Sequence, residues 1–254
     1  MRLNLLGVPT DPMRFNQALT SVLSWADAPE SRTAHFCNAH LLVSAQDDHA
    51  LRRSLATASF NATDGLPLVW MARLLGNPAE RVCGPDLMLA VMDHGRFSGR
   101  RHYLYGGTPT VVEELQQGLT RRLPGLLIVG AWSPPFRPPT EGEMQADLQR
   151  IQAASPDFVW VGLGAPKQDF WVESAKGGLQ VGGLMAVGAA FDFLSGNKRR
   201  APRWMQRTGT EWLFRLASEP GRLWRRYAVT NTRFAFLAAR QLVAERIMRR
   251  RQPS

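Results

Sequence analysis

The sequence predicts an α/β fold, a Rossmann-like parallel sheet with helices on both faces, followed by a basic helical C-terminal appendage. Short apolar runs typical of strands alternate with helical patterns as far as Val187, which indicates parallel strands covered on both faces. After Pro202 the alternation stops and only helical patterns follow. We therefore divide the chain into an α/β domain over residues 1–196 and the appendage over residues 197–254.

The first half of the chain is predicted to contain short elements. The helix over residues 47–58 has acidic residues in its first turn, where the helix dipole favours them, and Pro85 stands near the start of another helix. A turn at residues 9–12 follows the first strand. The predicted strands are residues 3–8, 33–37 and 59–62, and the predicted helices are residues 16–25, 47–58, 66–75 and 85–93.

The second half is more regular, with strands and helices in alternation. Thr108 is expected to cap the helix that follows Gly106-Gly107, and residues 126–131 are apolar enough for a buried strand. The predicted strands are residues 101–105, 126–131, 158–163 and 184–187, and the predicted helices are residues 108–123, 140–154, 169–175 and 231–251.

The last predicted helix, residues 231–251, is amphipathic and basic. Its apolar face is predicted to hold Phe236, Ala239, Val243 and Ile247, while arginines take other positions around it. A helix of this kind either lies in a membrane interface or docks on its own domain through the apolar face. The sequence leaves both interpretations open.

The positive charge of the chain is concentrated in the appendage. The net charge at pH 7 is +10, yet residues 197–254 contain 15 Lys/Arg and only 3 Asp/Glu, so the first 196 residues are slightly acidic. So many guanidinium groups repel one another unless an anion lies among them. The targets expected of such a segment are nucleic acid, an anionic membrane surface or a phosphorylated ligand.

The remaining composition narrows the class of protein. Cys37 and Cys83 stand in unrelated contexts, so a disulfide framework is not expected and a reducing cytoplasm fits. The run before Pro9 is too short for a signal peptide, and no stretch reaches the roughly 18 apolar residues of a membrane-spanning helix. If the protein meets a membrane, we expect it to lie on the surface.

Glycines stand at three predicted strand ends, where open parallel sheets bind ligands. The first place is Gly106-Gly107, before a helix suited to a phosphate or a sugar; the others are residues 162–168 and residues 188–192. Together they predict a cleft along this edge of the sheet. Residues 162–168 lack the third glycine of a dinucleotide fingerprint, so a nicotinamide-dependent enzyme is a weaker interpretation.

Asp64 is the most informative carboxylate of the first half. It follows a predicted strand and precedes Gly65, so its side chain is expected at the rim of the sheet. A carboxylate in that position suits a general base acting on a hydroxyl nucleophile, and it equally suits a simple turn or cap.

The sequence offers poor metal sites. His35, Cys37 and His40 have a ligand-like spacing, but no further ligand cluster accompanies them, so a zinc site is not expected. No D-x-D pair presents itself for a metal–nucleotide complex. Any diphosphate chemistry is therefore expected to rely on arginine, whose guanidinium group neutralises a leaving diphosphate.

A series of short motifs follows in a fixed order along the chain. In the α/β part they are Asn38-Ala39-His40, Asp64-Gly65-Leu66-Pro67, Arg81-Val82, Gly84-Pro85-Asp86-Leu87, Tyr105-Gly106-Gly107, Gly162-Leu163-Gly164-Ala165-Pro166-Lys167-Gln168 and Val187-Gly188-Ala189-Ala190-Phe191-Asp192. In the appendage they are Arg200-Ala201-Pro202, Glu211-Trp212-Leu213, Arg215-Leu216, Glu219-Pro220 and Arg222-Leu223-Trp224-Arg225-Arg226-Tyr227. In this order the motifs resemble the bacterial WecG/TagA/CpsF glycosyltransferase family, over about residues 6–227.

The resemblance implies an inverting glycosyltransferase that takes a sugar from a UDP-sugar and transfers it to a saccharide on a polyprenyl diphosphate. It also implies a peripheral location at the cytoplasmic face of the plasma membrane and no metal cofactor. Asp64 would be the base that deprotonates the acceptor hydroxyl. The substrate-binding residues would be Asn38, Thr63, Arg81, Gly107, Gly164, Gln168 and Asp192, and the diphosphates of donor or lipid acceptor would be bound by Arg215, Arg222 and Arg225.

Two departures from the family pattern and several alternatives remain. Phe36 stands where the family often has threonine, and Gln168 is followed by Asp169 where many members have glutamate. The donor stays open among UDP-N-acetylmannosamine, its uronic acid, and UDP-glucose for exopolysaccharide assembly. Outside the family, a nucleic-acid-binding protein would use the basic appendage, but no aromatic platform accompanies it, so no nucleic acid partner is expected.

Overall fold

The computed structural model of the protein describes residues 2–251, except for the side chains of Arg222 and of residues 249–251. Two short strands, β1 (Leu3–Leu5) and β2 (Val8–Thr10), pair as an antiparallel hairpin. Six further strands form a parallel sheet: β3 (Arg32–Cys37), β4 (Phe60–Thr63), β5 (Arg101–Gly106), β6 (Leu127–Trp132), β7 (Phe158–Gly162) and β8 (Gly183–Ala186). Their order in the sheet is β4-β3-β8-β7-β5-β6. The predicted α/β fold with a parallel sheet is confirmed.

The helices of the α/β part connect these strands. They are α1 (Phe15–Leu23), α2 (Ala39–Asp47), α3 (His49–Thr57), α4 (Leu66–Leu74), α5 (Gly84–Gly95), α6 (Pro109–Arg122), α7 (Glu141–Ala153), α8 (Lys167–Ala175) and α9 (Ala190–Ser195). The appendage contains α10 (Arg203–Thr208), α11 (Glu211–Ser218) and α12 (Pro220–Arg251). As predicted, the Thr108 hydroxyl caps α6 by accepting from the Val111 amide.

The core lies on both faces of the sheet because side chains alternate along each strand. On β7, Phe158 and Trp160 pack with α1, α5 and α6 on one face, while Val159 and Val161 pack with α7 and α8 on the other. Both aromatic side chains are fully buried. Truncating either one to alanine is expected to cost about 3–5 kcal/mol of unfolding free energy.

Two predictions for the strands are wrong in detail. The single strand predicted over residues 3–8 is a hairpin, because Leu6 and Gly7 adopt positive φ angles of 52° and 80° and reverse the chain. The strand predicted as buried at residues 126–131 is the edge strand β6. Leu127 there is 44% exposed.

Helix α2, which directly follows the end of β3, was not predicted. It begins directly after the strand, where the Asn38 side chain caps it by accepting from the Leu41 amide at 3.1 Å. Asp48 then ends α2 and caps α3 in turn. Asn38 is the single residue between β3 and α2, so no longer turn signal marks this boundary in the sequence.

The long helix α12 docks on the α/β domain through a face that the sequence pattern did not indicate. Phe234, Leu237 and Leu242 pack against a buried cluster that includes Leu5 and Leu41. The docking is reinforced by the polar contacts of two α12 residues. Gln241 accepts from the Leu6 amide and donates to the Asn4 carbonyl, and Arg233 pairs with Asp47.

The apolar face predicted for α12 is therefore left on the surface. Phe236 is 66% exposed and Val243 is 56% exposed, and Ala239 and Ile247 are exposed with them. Helix α12 therefore has two apolar faces, one docked on the α/β domain and one exposed. Within residues 2–251, none of the helices combines the length and apolar character needed to cross a membrane.

Candidate active site

The order of the strands gathers the predicted site residues along one edge of the sheet. Asp64 follows β4, Asn38 follows β3, Gly188 follows β8, Gly164 follows β7 and Gly107 follows β5. Because all these strands run parallel, their carboxyl ends face the same side. This is the edge at which open α/β sheets bind ligands.

Asp64 is fixed by its backbone in the turn between β4 and α4. Its amide donates to the Cys37 carbonyl at 2.9 Å, and Gly65 lies so close to Asn38 that a Cβ there would be 3.4 Å from the asparagine Cα. The Asp64 side chain is 21% exposed. Burial raises its pKa to about 6, against the opposing effect of the Arg81 guanidinium. A carboxyl group with this pKa is half ionised near pH 6 and is suited to proton transfer.

Arg81 joins Asp64 to the appendage. Its Nε donates to the Asp64 carbonyl at 2.7 Å, and its Nη2 lies 3.4 Å from Asp64 Oδ1 and 2.8 Å from Glu211 Oε2. Glu211 Oε1 in turn accepts from Arg215 Nη2 at 3.0 Å. The four side chains form one network that begins at the end of β4 and ends on α11.

A second connection between appendage and domain lies beside the first. Arg200, in the segment before α10, pairs with both carboxylate oxygens of Asp86 and donates to Cys83 Sγ at 3.1 Å. Burial raises the pKa of the Cys83 thiol, and the nearby Asp64 carboxylate raises it further. The thiol therefore stays neutral and donates to Asp86 at 2.9 Å.

Gln168 ties two strand ends together. Its Oε1 accepts from the Gly164 amide at 3.1 Å and its Nε2 donates to the Ala186 carbonyl at 2.9 Å. Gly188 has a φ of +59°, and a Cβ there would lie 3.2 Å from Gln168 Nε2. The buried amide thus fixes the relative position of the loops after β7 and β8.

Two glycines in these turns have positive φ angles, one beside open space and one packed against a neighbouring strand. Gly164 has a φ of +78° with open space where a Cβ would stand. Gly106 has a φ of +117°, and a Cβ there would collide with the Gly162 backbone at 2.6 Å. The carbonyl of Gly107 accepts from the Ser133 hydroxyl, which anchors the proline-rich loop after β6.

Thr63 and Asp192 have partners within the protein. The Thr63 side chain is buried, and its hydroxyl donates to the Glu80 carbonyl at 3.2 Å, which fastens the segment leading to Arg81. Asp192 accepts from Asn197 Nδ2 and lies 3.6 Å from Lys198 Nζ. Asp192 therefore borders the start of the appendage, and its role toward a substrate stays a prediction, as does that of Thr63.

The three arginines predicted to bind diphosphates are not equally placed. Arg215 belongs to the network of Asp64 and also lies over the Phe193 ring, 5.1 Å from its centroid. Arg225 is exposed and stacks on Trp224, outside that network. The Arg222 side chain lies outside the part of the chain that the structure describes.

A buried ionic cluster below the site was not foreseen from the sequence. His35 Nδ1 lies 2.7 Å from Asp169 Oδ1, and His35 Nε2 lies 3.4 Å from Glu173. Burial opposes the charged imidazole, but these hydrogen bonds outweigh it and raise the pKa of His35. Its spacing with Cys37 and His40 resembles a ligand set, although the sequence led us to expect no zinc site; in residues 2–251 no group of three or more His, Cys, Asp or Glu side chains is arranged to hold a metal.

Sequence reasoning also passed over Glu211 and Arg200, which were noted only as parts of motifs. The available signal was that residues 197–254 contain three acidic residues among fifteen basic ones. A rare carboxylate within a basic segment is expected to be paired, and Glu211 pairs with two arginines.

Comparison with known proteins identifies the family of this chain. A protein from Bacillus spizizenii named N-acetylglucosaminyldiphosphoundecaprenol N-acetyl-beta-D-mannosaminyltransferase is 31% identical over 173 residues. The aligned stretch covers 68% of this chain and 65% of the Bacillus protein, less than two thirds of its length. The sequence profile described as Glycosyl transferase WecG/TagA/CpsF family matches residues 3–248. This match extends over nearly the whole chain, and the protein belongs to the WecG/TagA/CpsF glycosyltransferase family.

Proposed function

We propose that the protein transfers a sugar from a UDP-sugar to a saccharide carried on a polyprenyl diphosphate, with inversion at the anomeric carbon and with Asp64 as the general base. The observation that carries the proposal is the Asp64 carboxyl group itself. It stands at the carboxyl edge of the sheet with a pKa raised to about 6. The Arg81 guanidinium lies 3.4 Å from its Oδ1, and Arg215 is bonded to Glu211, the other partner of Arg81. Family membership supports the same reaction class.

In the proposed reaction the ionised Asp64 carboxylate accepts the proton of the acceptor hydroxyl. The hydroxyl oxygen forms a bond to the anomeric carbon of the donor while the bond from that carbon to the diphosphate oxygen breaks. UDP leaves with the bonding electron pair, on the face opposite the attack, so the configuration inverts. A base with a pKa near the working pH combines a large ionised fraction with enough proton affinity.

Arginine side chains would stabilise the leaving diphosphate. Arg81, Arg200 and Arg215 all lower the pKa of Asp64 electrostatically, so their charges act at the proposed base. A guanidinium group can donate two parallel hydrogen bonds to the oxygens of a phosphate, and it stays positively charged at any working pH. We therefore propose a reaction without a metal cofactor.

For the substrates, we propose UDP-N-acetylmannosamine as donor and an N-acetylglucosaminyl-diphospho-polyprenol as acceptor. The support is the name of the Bacillus protein, which describes this transfer onto the undecaprenol form of that acceptor. The N-acetylmannosaminuronate and glucose donors are the alternatives within the family, the latter for exopolysaccharide assembly.

We further propose that the appendage binds the inner face of the plasma membrane. The exposed face of α12, opposite its docked face, presents Phe236, Val243 and Ile247, with Arg240 and Arg246 beside them. The exposed tryptophans of the appendage are Trp204, Trp212 and Trp224. Apolar and aromatic side chains bordered by arginines suit an anionic lipid surface, and they favour a membrane over nucleic acid.

A donor panel tests this function. UDP-N-acetylmannosamine, its uronate, UDP-N-acetylglucosamine and UDP-glucose are offered separately with a synthetic N-acetylglucosaminyl-diphospho-lipid, with and without excess EDTA. We expect a product heavier by one N-acetylhexosamine from UDP-N-acetylmannosamine, unchanged by EDTA. A product from UDP-glucose alone would replace the proposed donor, and loss of the product in EDTA would refute the metal-free reaction.

A further inference from the structure

Glu211 lies between the two halves of the candidate site. It is the first residue of α11, and its side chain is only 13% exposed. Through Oε2 it accepts from Arg81 Nη2 at 2.8 Å, and through Oε1 it accepts from Arg215 Nη2 at 3.0 Å. One carboxylate of the appendage thus holds a guanidinium of the α/β domain and a guanidinium of its own helix.

This arrangement determines how strongly Arg81 is paired with Asp64. The same Nη2 atom lies 2.8 Å from Glu211 but 3.4 Å from the Asp64 carboxylate, a distance at the limit of a hydrogen bond. The firm contact of Arg81 with Asp64 is instead the one to its backbone carbonyl, at 2.7 Å. Glu211 therefore draws the arginine toward the appendage and leaves the Asp64 carboxylate weakly paired.

Attachment of the appendage does not depend on Glu211 alone. Helix α12 docks through Phe234 and Leu242, Arg233 pairs with Asp47, and Arg200 pairs with Asp86. A half-buried ion pair also adds little to stability once the cost of desolvating both partners is counted. A role in attachment is thus a poor explanation for a carboxylate placed between two arginines beside Asp64.

We propose that Glu211 is a positioning residue for the transfer reaction, which holds Arg81 and Arg215 on one carboxylate and keeps Asp64 available as a proton acceptor. The appendage would in this way control the catalytic base as well as bind the membrane. The proposal rests on the proposed function, in which Asp64 is the base.

The charges around Asp64 give the direction of the effect. The groups that face it are the Arg81, Arg200 and Arg215 guanidinium groups, the Glu211 carboxylate, and the Cys37 and Cys83 thiols, which burial keeps neutral. Glu211 raises the pKa of Asp64 and the arginines lower it. Removing the Glu211 charge also frees Arg81 to pair with Asp64, so both changes lower the pKa of Asp64.

The first test is the Glu211→Gln variant, read by the pH titration of the Asp64 carboxyl carbon in ligand-free protein by 13C NMR. The resonance is assigned by its loss in Asp64→Asn. We expect the midpoint in Glu211→Gln to fall by about one pH unit. The matched control is Asp47→Asn, which also removes a carboxylate from a pair between domain and appendage and is expected to leave the midpoint unmoved.

The second test uses Arg215→Gln. This change removes the arginine that competes with Arg81 for the Glu211 carboxylate, so that Glu211 pairs with Arg81 alone. Its Asp64 midpoint is expected to move to higher pH, opposite to Glu211→Gln. A general loss of structure would not lower the Asp64 midpoint in one variant and raise it in the other. If Glu211→Gln fails to fold, the midpoint in Arg215→Gln alone tests the proposal. An unmoved midpoint in either folded variant, or a shift in the reverse direction, overturns the proposal.

The third test measures kcat for sugar transfer as a function of pH. In Glu211→Gln the acid limb of kcat should move down with the Asp64 midpoint, and the plateau should fall roughly threefold to tenfold because a weaker base transfers the proton less readily. A higher plateau would mean that Glu211 blocks the site, which contradicts positioning. If the wild type shows no Asp64-dependent transfer, the proposed function fails, while the ligand-free titration still decides the effect of Glu211.

Discussion

The α/β part of the site and the appendage part are held by different kinds of contact. Gln168 and Asn38 are hydrogen-bonded to the backbone, and Gln168 is buried. The charged groups of Arg215 and Lys198 in the appendage pair with carboxylates, and these side chains are 38% and 42% exposed. A backbone contact fixes geometry, whereas a carboxylate partner is readily exchanged for another anion. The domain thus presents a preformed edge, and under the proposed function the appendage would offer cations to an incoming diphosphate.

Arg81 connects the two parts, so its loss should have the largest effect of any change to the contacts between them. In Arg81→Ala the carboxylates of Asp64 and Glu211 lose their shared cation, and we expect kcat to fall by about a hundredfold or more. The variant should also lose about 3 kcal/mol of unfolding free energy, because two half-buried carboxylates are left close together. Steady-state transfer assays and urea denaturation measure these losses.

The matched control for Arg81 is Arg52→Ala. Arg52 is likewise half-buried and donates to a backbone carbonyl, that of Ala45, but it lies on α3. It is expected to affect stability and leave kcat within about twofold. Equal losses of kcat in both variants would show that Arg81 acts only through the fold.

The raised pKa of Asp64 predicts that the difference in stability between the wild type and Asp64→Asn depends on pH. Its folded pKa, raised to about 6, exceeds the usual value of 3.8, so the folded state holds the proton more tightly than the unfolded state. That stabilisation is fully present below pH 3.8 and is lost as pH rises through 6. Asp64→Asn cannot ionise, so at pH 8 it should be more stable than the wild type by about 2 kcal/mol.

The measurement is urea denaturation of both proteins at pH 4 and pH 8. The unfolding free energy of Asp64→Asn should exceed that of the wild type by a growing amount as pH rises. A gap that is constant with pH, or that closes toward pH 8, would show that the preformed edge does not destabilise the ionised carboxylate.

A smaller effect is expected from the exposed face of α12. In the double variant Phe236→Ser, Val243→Ser, binding to vesicles with anionic phospholipid should weaken by about tenfold, because two apolar side chains no longer enter the interface. The rate with a short-chain, water-soluble acceptor should stay within about twofold, since α12 remains docked through Phe234 and Leu242. Vesicle co-sedimentation and the transfer assay measure the two properties.

Phe97→Ser is the control for that pair. Phe97 is 79% exposed on the α/β domain, outside the appendage, and its replacement should leave vesicle binding unchanged. Equal vesicle binding by the wild type and the α12 double variant would mean that this face does not meet the membrane.

The sequence predicted the preformed edge better than the appendage. Asp64 and Asn38 lie at the sheet edge because each directly follows an apolar strand, and parallel strands end at one side of the sheet. Gln168 lies in α8, and its side chain reaches the ends of β7 and β8. The roles of all three toward a substrate stay predictions. The same local reasoning did not show that Asn38 also caps a helix, since Asn38 is the single residue between β3 and α2 and no longer turn signal marks the boundary. It likewise missed the reversal at Leu6, whose positive φ angle of 52° is uncommon for a branched side chain.

For the appendage the decisive contacts are long-range. Glu211 and Arg81 are 130 residues apart, and no periodicity predicts their pairing. On α12 two apolar faces compete, and Phe234 and Leu242, rather than Phe236 and Val243, meet the hairpin and α2. The choice depends on the shape of the docking surface, which the helix pattern does not contain.

The central claim is that Asp64 is the base of a sugar transfer. The most direct test compares the wild type with Asp64→Asn in the transfer of N-acetylmannosamine to the lipid-linked acceptor, from pH 5 to pH 9. We expect wild-type kcat to fall with an acid limb near pH 6, and the folded Asp64→Asn variant to be slower by about a thousandfold, with no such limb. A folded variant within tenfold of the wild type that keeps the acid limb would contradict the account.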